Sequence, residues 1–214
     1  MEATGDQSAF WNAAAQTRLF THPLDATRFS RAVARDAHIL DYGCGQGRLC
    51  GELVALGFTR VVGIDSSPEM VHAARQRNPG ASFAVNDGAR LPCADASLDA
   101  ALLFAVLTCI PDDAAQKNLL GEFKRSLRPG GLLLISDYPL QTDARNLARY
   151  LKFAPGAGYG TFQLPDGAWL RHHRREWFDE VLEGFRVEDS VELEALTMNG
   201  NRARILQLWA RRQQ

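Results

Sequence analysis

The chain has almost no net charge: 24 lysines and arginines face 25 aspartates and glutamates over 214 residues, a formal −1 at pH 7. No overall positive field exists to hold a polyanion, so nucleic acid is not an expected partner. Long hydrophobic runs are missing as well. The longest nearly apolar stretch, Ala100 to Ile110, is about half of what a membrane-spanning helix needs, and no membrane partner is expected. The opening MEATGDQSAF carries acids where a secretory leader has basic residues and then an apolar stretch. A soluble, unexported, cytoplasmic protein is the expectation. Cysteine is scarce, and Cys44, Cys50, Cys93 and Cys109 contain no C-x-x-C pair and no histidine at a zinc-ligand spacing. No metal is therefore expected, and the thiols read as buried or incidental. Repeats, low-complexity tracts and linkers are absent too. With 46% hydrophobic residues the chain can bury one sizeable core, which makes 1–214 a single expected domain.

What is present is an alternation of short apolar runs and amphipathic stretches from Ile39 onward, the pattern of a parallel sheet with crossover helices. A first strand ends near Tyr42, and Leu49, Leu53, Val54 and Leu56 share a helical face that Gly57 is placed to end. RVVGID reads as the second strand, followed by a helix with Ser67 as N-cap and Pro68 in its first turn. ASFAV and SLDAALLFAVL read as the third and fourth strands, the latter buried on both faces. Asp112 or Asp113 caps the next helix, and Arg128-Pro129-Gly130-Gly131 turns the chain into LLLISD. RVEDSVELEAL and RARILQLWAR, joined through Asn199-Gly200, read as a terminal hairpin.

Two segments stand outside the alternation. Residues 1–36 form a helical arm whose Phe10, Trp11, Leu19 and Phe20 need cover, either by packing on the domain surface or by closing over a site. Residues 138–175 are the place for specificity. There RNLARYLKF reads as a helix, APGAGYG as flexible, and TFQLPDGAWLRHH as two short strands about a Pro-Asp-Gly turn. Hinge glycines and Tyr159, Phe162 and Trp169 suit a substrate lid. EWFDEVLEGF then resumes as a helix.

The sharpest motif is ILDYGCGQGRL. A dinucleotide fold requires G-x-G-x-x-G, but the sixth position here is Arg48 and the third glycine comes one residue early, at Gly47. A phosphate P-loop fails for want of Gly-Lys-Ser or Gly-Lys-Thr. With Asp41 in front, this strand–loop–helix resembles the first motif of class I methyltransferases that use S-adenosylmethionine. Asp65 ends the second strand about twenty residues on, where a carboxylate can accept from both ribose hydroxyls. Asn86-Asp87-Gly88 follows the third strand, and RPGGLLLISD is similar to the family's turn into its fifth.

The resemblance implies a Rossmann-like, doubly wound α/β fold with seven strands, mostly parallel and with an antiparallel last strand. It implies S-adenosylmethionine as cofactor and S-adenosylhomocysteine as product. The implied cofactor set is Asp41, Gly43, Cys44, Gly45, Gly47, Asp65, Ser66, Met70, Asp87, Gly88 and Phe104.

Phe104-Ala105-Val106-Leu107-Thr108 departs from the Asn- or Asp-Pro-Pro-aromatic motif that resembles exocyclic-amine methyltransferases. A small-molecule acceptor with an N, O or C nucleophile is the expectation, with Trp11, His22, Tyr159 and Trp169 as substrate contacts. His172 and His173 are the candidates for proton transfer near pH 7, or else histidines hydrogen-bonded at a strand end. On a strand they point to opposite faces. The run Arg171 to Arg175 either binds a substrate anion or is a solvated edge offset by Glu176, Asp179 and Glu180. A non-catalytic cofactor-binding protein, a nicotinamide oxidoreductase and a transferase acting on RNA or protein stay open.

Overall fold

The computed structural model describes residues 7–86 and 90–214. Five strands come first: β1 (His38–Tyr42), β2 (Arg60–Asp65), β3 (Ser82–Val85), β4 (Leu98–Phe104) and β5 (Leu127–Asp137). They pair in parallel, and the terminal hairpin of β8 (Phe185–Leu196) and β9 (Arg202–Arg212) closes the sheet in the order β3-β2-β1-β4-β5-β9-β8. β9 is antiparallel to both its neighbours, so the expected seven-stranded, mostly parallel sheet is what forms.

Local chemistry sets most element ends. Ser67 Oγ accepts from the Met70 N–H at 3.1 Å, and Asp112 caps α5 (Asp113–Ser126) by accepting from Ala115 at 2.7 Å. Gly57 takes φ +87° to stop α3 (Arg48–Ala55). The centre of the sheet is buried on both faces. Leu102, Leu103, Leu133 and Leu134 are fully enclosed, packed by Phe123 and Phe178 on one side and by Phe29, Leu53 and Trp209 on the other.

Two boundaries differ from expectation. β5 begins at Leu127, before the Arg-Pro-Gly-Gly segment, because Leu127 pairs with Leu98 and a register shift then absorbs the extra residues. The APGA of the expected flexible stretch is helical instead, since α6 runs over Ala144–Ala157. Pro155 lies exposed in the last turn, where the loss of one intrahelical hydrogen bond leaves only a single turn of helix to continue.

Beyond α6, β6 (Thr161–Gln163) and β7 (Trp169–Arg171) form the expected small hairpin. Its Phe162, Leu164 and Leu170 pack with Tyr150 in a separate apolar cluster. Before β1 stand α1 (Ser8–Ala14) and α2 (Ala26–Ala32); between β2 and β3 lies α4 (Pro68–Arg77), and between β7 and β8 lies α7 (Arg175–Val181). Among the described residues no helix is long and apolar enough to cross a membrane.

Candidate active site

Strand order reverses between β1 and β4, which opens a crevice at the carboxyl ends of the parallel strands. A cavity of about 370 Å³ lies there. Its wall takes Asp41 to Gln46 from the end of β1 and the loop after it, Asp65 and Ser66 from the end of β2, Asn86 from just past β3, and Phe104 to Val106 from the end of β4 and the turn beyond. Gly43, Gly45 and Gly47 have φ of +68°, +53° and +78°, a region side chains disfavour. A Cβ on Gly43 would lie 2.6 Å from Val106 Cγ2, so this turn and the turn after β4 meet only because the glycine is bare.

Asp65 ties the site together. Its Oδ2 accepts from the Gly45 N–H and its Oδ1 from the Ser67 N–H, both at 2.9 Å. Burial pushes its pKa up against those bonds. Asp41 is almost fully enclosed; burial raises its pKa to about 7, although the Cys50 thiol donates to its Oδ2 at 3.3 Å and Arg48 is near. Asp137 is similarly raised to about 7 by burial, against hydrogen bonds from the Tyr138 and Thr108 N–H groups. Its carboxylate holds the single 3-10 turn Leu107–Cys109 beside the cavity.

Of the expected cofactor residues, Asp41, Gly43, Cys44, Gly45, Asp65, Ser66, Met70 and Phe104 all line this cavity. Gly47 does not. It N-caps α3, and a Cβ there would sit 2.7 Å from Asn78 Nδ2 and 2.9 Å from the Phe83 ring. Gly47→Ala is accordingly expected to lower stability by about 2–3 kcal/mol, from left-handed strain plus overpacking. Urea unfolding measures it, and a loss below about 0.5 kcal/mol would show that the contact relaxes freely. Asp87 and Gly88 lie outside the described residues.

A second cavity, of about 560 Å³, abuts the first and shares with it Trp11, Phe20, Arg48, Phe104, Ala105 and Cys109. Ala105 takes φ +56°, a strained value for a residue with a Cβ, held by its N–H donating to Ser136 O at 2.7 Å. His22 and His172 line this second cavity, together with Tyr138, Phe162 and Leu170. Tyr159 and Trp169 line neither. Tyr159 is half-exposed against Tyr150, and Trp169 packs on Phe153.

The histidines differ in what their nitrogens do. His22 Nδ1 lies 3.1 Å from the Ser136 carbonyl and 3.0 Å from Ser136 Oγ, and among the described residues its buried Nε2 has no partner. Burial lowers the His22 pKa to about 4. Tyr150 Oη accepts from the Gln141 N–H at 3.2 Å and lies 2.5 Å from His172 Nδ1. Burial pushes His172 well below its ordinary value. His173 faces the other way, stacked at 3.7 Å on Trp177, with Nε2 3.0 Å from Gln116 Nε2. Burial lowers its pKa to about 3. Burial thus favours the neutral form of both His172 and His173, and His173 reaches neither cavity.

The arm lies over the site. α1 packs against α4, Asn12 accepts from the Ser67 hydroxyl at 2.6 Å, and Gln46 Nε2 donates to Ala15 O at 2.8 Å and Arg18 O at 3.2 Å. The basic run behaves as an edge: Arg171 pairs with Asp113 at 2.6 Å and Arg175 with Asp179 at 3.1 Å. Among the described residues no group of three or more His, Cys, Asp or Glu side chains gathers as a metal site.

A glycine-floored crevice at the switch point, with an acid closing β2, defines a nucleotide-type cofactor site of the adenosyl kind. A model of the family described as "Methyltransferase domain" matches residues 40–135. The chain is 30% identical to a ubiquinone biosynthesis O-methyltransferase of Xylella fastidiosa over 71% of its own length and 67% of that protein's. It is 33% identical to a probable S-adenosylmethionine-dependent methyltransferase of Mycolicibacterium smegmatis, over 75% of the chain and 56% of the relative. A solved methyltransferase structure from Methanosarcina mazei superposes with a TM-score of 0.82 at 26% identity, covering 91% of this chain and 99% of that one. The chain belongs to the class I S-adenosylmethionine-dependent methyltransferases. It spans about a third to just over half of other curated relatives it matches, at 35%, 45% and 56%.

Proposed function

We propose that this protein transfers the methyl group of S-adenosylmethionine to an oxygen, nitrogen or carbon nucleophile on a small molecule, releasing S-adenosylhomocysteine without a metal. The observation that carries this reading is the shared wall: the second cavity meets the cofactor cavity across Phe104 and Ala105. A bound sulfonium supplies a methyl group already activated for in-line displacement, so the chain's task is alignment and exclusion of water. Asp41, Gly43 and Gly45 suit the amino-acid end, Asp65 the ribose hydroxyls, and Met70 and Phe104 the apolar faces. Trp11 and Phe20 of the arm, with α6 and the β6–β7 hairpin, are the cover. His22 and His172 are taken as polar contacts to the acceptor. A cavity of this size suits a metabolite better than a polymer. The Xylella relative is an O-methyltransferase by name, which favours oxygen among the three nucleophiles.

Calorimetric titration with S-adenosylhomocysteine, followed by an acceptor screen read as S-adenosylhomocysteine formed from S-adenosylmethionine, tests the reading. Binding plus acceptor-dependent turnover is expected. Binding with no turnover on any acceptor would move the protein to the non-catalytic alternative, and binding of NAD alone would overturn both.

A further inference from the structure

Helix α6 begins with a charge arrangement that works against it. Arg145 stands in the first turn, where unpaired N–H groups already make the helix end positive. Arg149 follows one turn later on the same face, where like charges repel. Both line the second cavity and neither lines the first. Local acids do little to offset them. Asp143 is occupied as the N-cap, accepting from the Asn146 N–H at 3.1 Å, and stands 3.9 Å from Arg145. Among the described residues Arg149 makes no ion pair, and its Nε is buried with no partner.

The other basic groups of this cavity are accounted for. Arg18 is engaged by Asp166 and Asn199, and Arg48 by Glu52 and the His22 carbonyl. Asp166 is the one carboxylate among the cavity's described residues, and it is taken. Among the described residues, Arg149 therefore lines the cavity with no carboxylate paired to it, and Arg145 with only the 3.9 Å contact to Asp143. The Arg149 guanidinium lies over the Phe162 ring, Cζ 3.4 Å from its centroid, and shares a hydrogen bond with the Tyr150 side chain, which together fix it without neutralising its charge.

We propose that Arg145 and Arg149 form an anion subsite, and that the methyl acceptor carries a carboxylate at the end remote from the nucleophile. This rests on the reading of the second cavity as the acceptor site. Two planar cations suit the two oxygens of a carboxylate. The apolar faces of Tyr138, Phe162 and Leu170 suit an unsaturated or aromatic body between that carboxylate and the wall at Phe104 and Ala105. A strongly hydrated dianion fits such a lining poorly.

The test uses matched probes on the full chain saturated with S-adenosylhomocysteine: benzoate, 4-hydroxybenzoate and 4-hydroxycinnamate, each beside its neutral methyl ester, with inorganic phosphate as a further arm. At least one acid is expected to bind tenfold or more tighter than its ester. R145Q and R149Q should each reduce that preference and the double variant should abolish it, with affinity for S-adenosylhomocysteine unchanged within about twofold. R149K is expected to restore part of the preference, which a purely structural role would not require. Equal binding of acids and esters, no binding of any acid, phosphate binding in place of carboxylates, or a preference that survives the double variant each overturns the proposal. The acid–ester comparison is repeated without cofactor product. If wild type fails to bind S-adenosylhomocysteine, the cofactor reading fails, and the acid–ester result is then read independently of it.

Discussion

Replacing Asp65 with alanine is expected to weaken binding of S-adenosylhomocysteine by about 100-fold. The carboxylate does two jobs at once. Its oxygens hold the glycine loop and the start of α4 through the Gly45 and Ser67 N–H groups, and in the proposed complex they also accept from ribose. A hydrogen bond to a charged group contributes about 1.5–3 kcal/mol, so losing two ribose contacts accounts for about 3 kcal/mol, or two decades in affinity. Thermal stability should fall as well, because two loop N–H groups lose their acceptor. Asp65→Asn keeps one accepting oxygen and should lie between. Calorimetry decides it: an alanine variant that binds within threefold of wild type would mean that ribose sits elsewhere, and the assignment of this crevice would have to be abandoned.

Cofactor affinity is further expected to fall about tenfold for each pH unit below 7, reaching roughly 100-fold by pH 5, because Asp41 must lose a proton to receive a cationic amino group. Burial raises this carboxyl to about 7 in the free protein, and an ammonium in the same cavity favours the ionised form. Binding at pH 6 should therefore release a proton, seen as a dependence of the measured heat on buffer ionisation enthalpy. Asp41→Asn should flatten the pH profile and weaken binding above pH 7. A flat wild-type profile would show that Asp41 does not meet the charged end. The free protein follows the opposite sign. A carboxyl whose folded pKa is raised contributes stability that is full below the unfolded value near 3.8 and is lost as pH rises through about 7; Asp137 shifts in the same direction. These two carboxyls favour the free protein at the acid end, where it binds cofactor worst, and the lowered pKa values of His22, His172 and His173 oppose them there.

The legible parts of this fold are those whose chemistry is local. Asp41 to Gly47 could be placed because a strand must end before three residues that take positive φ, and Ser67-Pro68 because cap and first-turn proline are adjacent in sequence. The helical character of the arm was legible, but its seat was not. α1 has seven residues, too few for a helical period to declare a face, and its seat is set by Gln46 and Ser67, far along the chain. Nor did the anion-facing residues announce themselves. Arg171 to Arg175 was the conspicuous basic run, yet Asp113 and Asp179 engage it, whereas Arg145 and Arg149 lay inconspicuously in an amphipathic helix. The histidine pair was correctly expected to divide between two faces, but which nitrogen stays basic depends on Tyr150, Gln116 and Ser136, and no spacing encodes that.

Where the chain leaves β5 it is clasped to the point where it returns. Pro139 and His173 form a parallel bridge, the His173 N–H donates to Tyr138 O at 3.2 Å, and the Leu140 N–H donates to His173 O at 2.8 Å. Everything between, including α6 and the β6–β7 hairpin, enters and exits through one doorway. Loop closure is insensitive to how much chain lies beyond such a doorway, so descent can lengthen, shorten or exchange that stretch without disturbing the strands beneath. A new lining for the second cavity can then come from a replaceable cassette, while the strand ends around the first cavity keep their places.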